Sequence, residues 1–281
     1  MATRYPEAST VIIENSYMDD IVGGAASEER CLALMQEIES MLAMHSFRIK
    51  EWIYSGSNSS PVQLKSEGQN EPTNEEKERV LGIQLNPGMD VLELEMHLNL
   101  PTASVTKRMM LSVMMKIFDP LGLLTALKVR LKMLMRKVWG LEKKLQWDDY
   151  LPEILQREWR EIVEELSQSK KIVFPRSIYP LNARGDPVLV MFSDGSIDAF
   201  GAVAYVRWEL EDCGFEARIV AAKARMAPLK TIDIVRLELC GALLSARLRA
   251  TIEKELNFQK CDALGGKRDC EGDDPQGEFR I

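Results

Sequence analysis

The stretch VLVMFSDGS, residues 188–196, decides the fold predicted for the C-terminal half of this chain. Five apolar residues in succession predict a buried central β-strand, because a strand covered on both faces need not alternate apolar and polar side chains. The strand ends at an acidic residue, Asp194, which Gly195 and Ser196 follow. The sequence therefore predicts a sheet whose first strand carries a carboxylate at its end.

Two more strands and a helix are predicted after this stretch. Residues 200–208 and 217–224 have strand character, and Asp233 is a candidate N-cap for the helix that follows. Glu238 falls within the first two turns of that helix. Taken alone, Asp194 is typical of a turn and Glu238 of a helix surface. The buried stripe of the helix is predicted to consist of Leu237, Leu239, Leu243, Leu244 and Leu248.

A second acidic feature, the tetrad YMDD at residues 17–20, lies near the N-terminus. The β-branched residues at 11–13 predict a strand before it and the glycine pair at 23–24 predicts a bend after it, so the tetrad is expected at the tip of a hairpin with both carboxylates exposed. Asp19 and Asp20 repel each other unless a cation neutralises them, and Mg²⁺ is usually held by one or two carboxylates plus substrate phosphates. A solvated turn is the alternative, because turns are rich in aspartate.

Local patterns predict the remaining elements. Strands are expected at 47–54, 80–85 and 91–98, with a turn at 86–88 and a long polar loop over 55–78. Helices are expected over 27–42, over 102–139 with a break at 119–122, and over 153–167. Asp148 and Asp149 are interpreted as part of a helix-initiating loop, and residues 172–176 as a linker.

Several of these motifs resemble known retroelement sequences. YMDD resembles the polymerase tetrad of reverse transcriptases, and IVGG at 21–24 with FRIKEW at 47–52 resembles the Pao (Bel/Pao) retrotransposon family. TKR at 106–108 and IFDPLGLL at 117–124 resemble the segment of that family after the palm. APLK at 227–230 and RLEL at 236–239 are similar to its ribonuclease H region, although Asp-Ile-Val stands at 233–235 where the family often has Thr-Ile-Pro.

The resemblance implies two metal-dependent activities. Asp19 and Asp20 would hold metal for RNA-directed DNA synthesis, while Asp194 and Glu238 would hold two Mg²⁺ (or Mn²⁺) ions for cleaving RNA in an RNA/DNA hybrid. Both two-metal sites are expected to be incomplete in this chain, since the other polymerase aspartate lies upstream of the tetrad and ribonuclease H needs further carboxylates. Both activities are therefore expected to be absent, or nearly so, in the isolated chain. Residues left without an assignment are Asp262, Asp269, Asp273 and Asp274.

The predicted fold class is a multidomain α+β or α/β protein. The resemblance implies that residues 1–100 form the C-terminal part of a reverse-transcriptase palm and 101–180 a helical thumb or connection. Residues 186–256 would form a partial ribonuclease H-like domain of three strands and one helix, and 257–281 a disordered tail. The chain is thus expected to be a polyprotein fragment whose remaining parts complete the domains and whose partner is RNA/DNA hybrid or primer-template nucleic acid.

Charge supports an alternative function, that of a non-catalytic nucleic-acid-binding remnant. The 281 residues carry a net charge of -7, yet residues 101–147 contain ten lysines and arginines against two acids, a local charge of +8. A solvated amphipathic face explains scattered lysines, but an excess of this size is equally typical of a track for the phosphate backbone. The predicted contacts are Lys107, Arg108, Lys116, Lys128, Arg130, Lys132, Arg136 and Lys137.

Other classes receive less support. Five cysteines without a Cys-x-x-Cys pair indicate neither a disulfide framework nor a zinc site, so a reducing, cytoplasmic or nuclear location is expected. No stretch approaches the roughly 18 apolar residues of a membrane span, so no membrane partner is expected. A retroelement aspartic peptidase is the least favoured alternative, because its Asp-Thr/Ser-Gly order is reversed at residues 194–196.

Overall fold

A computed structural model of the chain describes residues 4–18, 20–25, 27–53, 64–65, 79–80, 83–95, 104–142, 144–168, 171–230 and 232–256. It divides into two compact units. The first consists of residues 1–95 with 171–176, and the second of 96–170 with 177–281. The mixed helix and sheet content agrees with the predicted fold class, whereas the domain boundaries proposed from the sequence stay predictions.

The first unit begins with a helix, α1 (Pro6–Glu14), so the strand predicted over residues 11–13 is wrong. Pro6 occupies the first turn, where its missing N–H costs nothing. Packing then overrides the strand preference of the β-branched residues, because Ala8 is completely buried against Leu34 and Ile38 of α2 (Glu28–Ala43). Ser27 caps α2, accepting a hydrogen bond from the backbone N–H of Arg30 at 3.2 Å.

Between these helices the predicted hairpin is confirmed. Strand β1 (Ser16–Tyr17) pairs antiparallel with β2 (Asp20–Ile21), with Tyr17 opposite Asp20. Met18 has a φ of 55°, the left-handed conformation that a two-residue turn requires. Asp20 is exposed, and Asp19 lies outside the described residues.

Short strands make up the rest of the first unit. They are β3 (Glu51–Trp52), β4 (Leu64–Lys65), β5 (Arg79–Val80), β6 (Ile83–Asn86), β7 (Val91–Glu95) and β8 (Lys171–Pro175). β3 pairs with β4, which lies inside the predicted long loop, and the other four form a sheet in the order β5-β6-β7-β8. The predicted turn after Asn86 is confirmed by its pairing with Val91. Residues 172–176, predicted as a linker, instead contribute β8, whose Lys171 forms a 2.8 Å ion pair with buried Glu93.

The second unit contains three helices ahead of its sheet. They are α3 (Lys107–Lys116), α4 (Thr125–Trp139) and α5 (Glu153–Gln168), as the 3.6-residue periodicity predicted. The break at residues 119–122 separates α3 from α4. Trp159 of α5 and Leu131 and Leu134 of α4 are fully buried, so these helices contribute apolar core residues to the second unit.

The sheet of the second unit has the order β11-β10-β9, followed by one long helix. Strands β9 (Ala183–Gly195), β10 (Ala199–Leu210) and β11 (Phe215–Met226) are antiparallel neighbours, and all three are longer than predicted. Helix α6 (Ile234–Glu255) starts at Asp233, whose carboxylate accepts a 2.8 Å hydrogen bond from the N–H of Arg236. The predicted succession of three strands and a helix along the chain is therefore confirmed, as is the N-cap at Asp233.

Two details of that prediction are wrong. Within the described residues β9 is an edge strand, and Phe192 is 56% exposed, so this apolar run is not a buried central strand. On α6, Leu237, Leu244 and Leu248 pack into the core as predicted, but Leu239 and Leu243 are 68% and 51% exposed. The sheet covers one side of the helix only, so the leucines on its other side lie in solvent.

The cysteines also differ from expectation. Cys31 and Cys240 are free, whereas Cys213 is disulfide-bonded, a bond that the cysteine count and spacing did not indicate. Cys213 occupies the β10–β11 turn with a φ of 63°, and sequence spacing gives no information on its pairing. None of the helices in the described part of the chain has the length and apolarity needed to cross a bilayer.

Candidate functional site

The end of β9 packs directly on the first turns of α6, and two glycines make this approach possible. A β-carbon on Gly195 would lie 2.5 Å from the carbonyl carbon of Leu237 and 2.6 Å from the backbone nitrogen of Glu238. A β-carbon on Gly241 would lie 2.8 Å from the carbonyl oxygen of Asp194. Strand and helix therefore meet backbone to backbone, and Asp194 and Glu238 arise from adjoining segments.

Both side chains of this pair are solvent-exposed. One oxygen of Asp194, Oδ1, accepts a 2.8 Å hydrogen bond from the N–H of Gly195, which fixes the carboxylate relative to the strand end. No hydrogen bond or ion pair to Glu238 is found in the described part of the chain. The structure thus brings together the two residues that the sequence predicted for a metal centre, on the predicted strand and helix.

The donor chemistry of the pair suits a hard divalent cation, since Mg²⁺ prefers carboxylate oxygens and retains water and phosphate ligands. Among the described residues, no cluster of three or more His, Cys, Asp or Glu side chains is placed to hold a metal ion. Asp194 and Glu238 therefore fit a shared metal site only in part. Substrate phosphates or further groups would have to complete it.

The tetrad at residues 17–20 is a separate feature of the first unit. Asp20 ends the turn of the β1–β2 hairpin and is exposed, as a metal-binding or solvated carboxylate would be. Asp19, predicted to act beside it, lies outside the described residues. The geometry is that of an accessible hairpin tip.

Lys107, one of the predicted nucleic-acid contacts, is a core residue with 6% exposure. Its ammonium group lies 4.6 Å from the ring centre of Trp139 and 5.6 Å from that of Trp147, and it donates a hydrogen bond to the carbonyl of Leu145. The two indoles meet edge to face at 5.7 Å. This arrangement uses the lysine as a structural cation rather than as a surface charge.

Most of the other predicted contacts have intramolecular partners. Arg108 forms a bidentate pair with Asp148, Arg130 pairs with Glu165, and Lys137 pairs with Glu158 at 2.6 Å. Arg136 donates to the carbonyls of Asp198, Ala227 and Pro228, and Lys128 donates to that of Ile117 at 3.3 Å. Because α5 places glutamates on α4, the +8 counted over residues 101–147 overstates the charge available to a ligand. Lys116 and Lys132 have no such partner in the described part of the chain.

The Arg108–Asp148 pair also shifts two pKa values. Hydrogen bonding to Arg108 lowers the pKa of the Asp148 carboxyl below its ordinary value, and the same contact raises the pKa of Arg108. Asp149 accepts a 2.7 Å hydrogen bond from the N–H of Gln146. Both aspartates thus order the loop before α5, in agreement with their prediction as loop residues.

Sequence reasoning missed the two glycines that build the site. Gly241 sits inside a helix, where glycine costs about 1 kcal/mol relative to alanine. An isolated helical glycine of this kind indicates a close backbone approach, and that signal was present in the sequence. What it approaches, the carbonyl of Asp194, requires the tertiary structure.

Three antiparallel strands, a helix packed on them and an acidic pair at their junction are consistent with a mixed α/β domain of the ribonuclease H-like class. The family model described as "Pao retrotransposon-like RNaseH-like domain" matches residues 106–264. The chain belongs to this Pao retrotransposon family. No curated protein matches the chain.

Proposed function

We propose that Asp194 and Glu238 are the metal-binding carboxylates of a ribonuclease H-type centre that acts on the RNA strand of an RNA/DNA hybrid. The family match supports a nuclease-type function and a nucleic-acid substrate in general. The observation that carries the residue assignment is the packing of Gly195 on the Leu237–Glu238 backbone, which places one carboxylate on each side of the junction. Either residue alone has a structural explanation, and their positions on the two segments that meet at this junction favour a shared role.

A divalent ion at this pair would supply charge stabilisation for the phosphodiester and a more acidic attacking water. The contribution of the chain is to hold two oxygen donors on a rigid strand end and a capped helix. The hydrogen bond from Gly195 leaves the second oxygen of Asp194 available. Because Mg²⁺ is usually held by one or two carboxylates plus substrate phosphates, ion and substrate phosphate should bind together.

The isolated chain is proposed to hydrolyse hybrid slowly or not at all, because the described residues gather only two carboxylates. A radiolabelled hybrid incubated with Mg²⁺ or Mn²⁺ tests this. Trace cleavage that disappears in Asp194→Asn and Glu238→Gln, but persists in Asp186→Asn on the same strand, supports the assignment. Equal trace cleavage in all variants contradicts the site, and robust turnover abolished by Glu238→Gln contradicts the proposed incompleteness.

The hairpin tetrad extends the proposal to reverse transcription. The exposed Asp20 and its neighbour Asp19 would contribute to metal binding for nucleotide addition, with the same limit on activity. Primer extension on an RNA template with Mg²⁺ measures this. Efficient extension that Asp20→Asn abolishes would show that the isolated chain already contains a working polymerase centre.

A non-catalytic role in nucleic-acid binding is the second candidate. It is supported by Lys116 on α3 and Lys132 on α4, the two predicted contacts without an intramolecular partner in the described part of the chain. Such a role predicts hybrid binding that weakens steeply with salt and is independent of Asp194 and Glu238. Counterion release weakens such binding strongly between about 50 and 200 mM salt. A hybrid affinity that stays constant over this range would exclude the nucleic-acid-binding role.

A further inference from the structure

A cavity of about 210 Å³ lies beside the outer edge of the ribonuclease H-like sheet, away from the Asp194–Glu238 junction. Its walls are the segment 119–125, Lys128 and Lys132 of α4, and residues 222–225 of β11. All of these belong to the second unit. The volume is below the roughly 300–1,000 Å³ of a site for a drug-sized molecule, so it suits a small chemical group.

The segment between α3 and α4 fixes one wall of the cavity against β11. The carbonyl of Leu121 accepts a 2.9 Å hydrogen bond from the N–H of Ala222, on the edge of β11. Gly122 has a φ of +77°, and a β-carbon there would overlap the carbonyl of Ala222. Asp119 accepts a 3.0 Å hydrogen bond from the N–H of Leu124 and so closes the turn before α4. The cavity is therefore held by backbone contacts.

Four cations line the cavity against a single acid. Lys128 and Lys132 are four residues apart and lie on one side of α4. Lys223 and Arg225 are two residues apart and lie on one face of β11. Counting Asp119, the net charge of the lining is +3. In the described part of the chain, no carboxylate pairs with Lys132, Lys223 or Arg225.

We propose that this cavity is a phosphate-binding site. Like charges on two packed elements repel one another unless an anion joins them, and phosphate has several oxygens to accept bonds from different donors. The guanidinium of Arg225 suits bidentate recognition of phosphate, while the lysines act as point charges. Lys223 and Arg225 lie outside the basic stretch predicted from the sequence. The fold brings them, on strand β11, to the same cavity as Lys128 and Lys132 of that stretch.

The ligand chemistry is a phosphate group, either a phosphodiester of a bound nucleic-acid strand or a free phosphate. The test uses the full chain, with Lys223→Gln/Arg225→Gln and, separately, Lys132→Gln, each checked for an unchanged thermal transition. Arg247→Gln on α6 removes an exposed arginine outside the cavity and is the matched control. Inorganic phosphate is titrated at constant ionic strength and followed by amide chemical shifts.

We expect saturable shifts around residues 119–125 and 222–225 in the original chain and in Arg247→Gln, and at least tenfold weaker binding in both cavity variants. RNA/DNA hybrid is then titrated over a range of salt. A cavity variant with lower hybrid affinity and a salt slope reduced by about one unit per lost contact identifies a backbone phosphodiester as the ligand. Unchanged hybrid binding, with phosphate binding lost, identifies free phosphate.

Equal phosphate affinity in the original chain and both cavity variants would overturn the proposal, as would the absence of phosphate binding together with unchanged hybrid binding. The same titrations on Asp194→Asn separate this site from the proposed nuclease centre. Phosphate binding to the cavity should persist in that variant, since none of its lining residues belongs to the junction of β9 and α6.

Discussion

Replacing Gly195 with alanine tests the packing that brings Asp194 and Glu238 together. The new β-carbon would lie 2.5 Å from the carbonyl carbon of Leu237 and 2.7 Å from its oxygen. Ordinary contacts are near 3.5–4.0 Å, so strand and helix would have to separate by roughly 1 Å. These are backbone atoms that no side-chain rotation can relieve. Overpacking of this kind costs about 1–3 kcal/mol.

Gly201→Ala is the matched control on the neighbouring strand. Its β-carbon would lie 3.4 Å from the carbonyl oxygen of Lys223 and 3.6 Å from the β-carbon of Ala224, which is close to ordinary contact. Alanine is also favoured over glycine inside a strand by about 0.5–1 kcal/mol. We therefore expect Gly201→Ala to leave stability nearly unchanged.

The assay is thermal unfolding followed by circular dichroism and by amide hydrogen exchange of α6. At about 2–4 °C per kcal/mol for a unit of this size, Gly195→Ala should lower the transition by roughly 2–12 °C, and Gly201→Ala by much less. If the two variants melt within about 1 °C of each other, the junction is not as tight as the structure indicates.

Two further predictions concern α3. Because Arg108 lowers the pKa of Asp148, this pair contributes stability above the ordinary carboxyl value of about 3.9 and loses it as pH falls through the lowered pKa. Arg108→Gln should raise the pKa of Asp148, measured from its carboxyl carbon shift, and an unchanged value would contradict the pair. Lys107→Ala should cost about 1–3 kcal/mol through the lost indole contacts and the unpaired carbonyl of Leu145, without weakening nucleic-acid binding, whereas Lys116→Ala should do the reverse. Chemical denaturation and hybrid titration of both variants measure this, and a loss of binding in Lys107→Ala alone would refute it.

Short-range patterns predicted the elements that local chemistry determines. Asp233 is an N-cap because its carboxylate accepts a hydrogen bond from the N–H of Arg236. The two residues are only three positions apart, so this contact is determined by local sequence. The hairpin at 16–21 likewise needs only a tight turn between two short strands. The helical break at 119–122 follows from proline and glycine. These features need no knowledge of what packs on them.

Tertiary contacts decided the features that sequence reasoning got wrong. The β-branched residues at 11–13 prefer a strand, but burial of Ala8 against α2 stabilises a helix instead. Leu239 and Leu243 have the spacing of a buried stripe, yet the sheet covers only the side of α6 that carries Leu244. Periodicity shows that a helix has an apolar side, and only the partner determines which residues on it are buried.

In the candidate sites too, local sequence predicted the residues, and tertiary contacts determined their surroundings. Asp194 and Glu238 were predicted from their elements, while their proximity depends on Gly195 and Gly241 in three dimensions. The basic stretch was predicted from a charge count, but that count omitted the acids of α5, which fold onto α4 and pair with it at Glu158 and Glu165. Charge along a sequence therefore overestimated charge at the surface.

The most direct test of the proposed centre is the affinity for RNA/DNA hybrid with and without Mn²⁺ at constant ionic strength. The original chain and Asp186→Asn should bind hybrid more tightly with Mn²⁺. That increment should disappear in Asp194→Asn and in Glu238→Gln, while the metal-free affinity stays the same. An increment of equal size in all four proteins, or none in the original chain, would contradict the assignment of these two carboxylates.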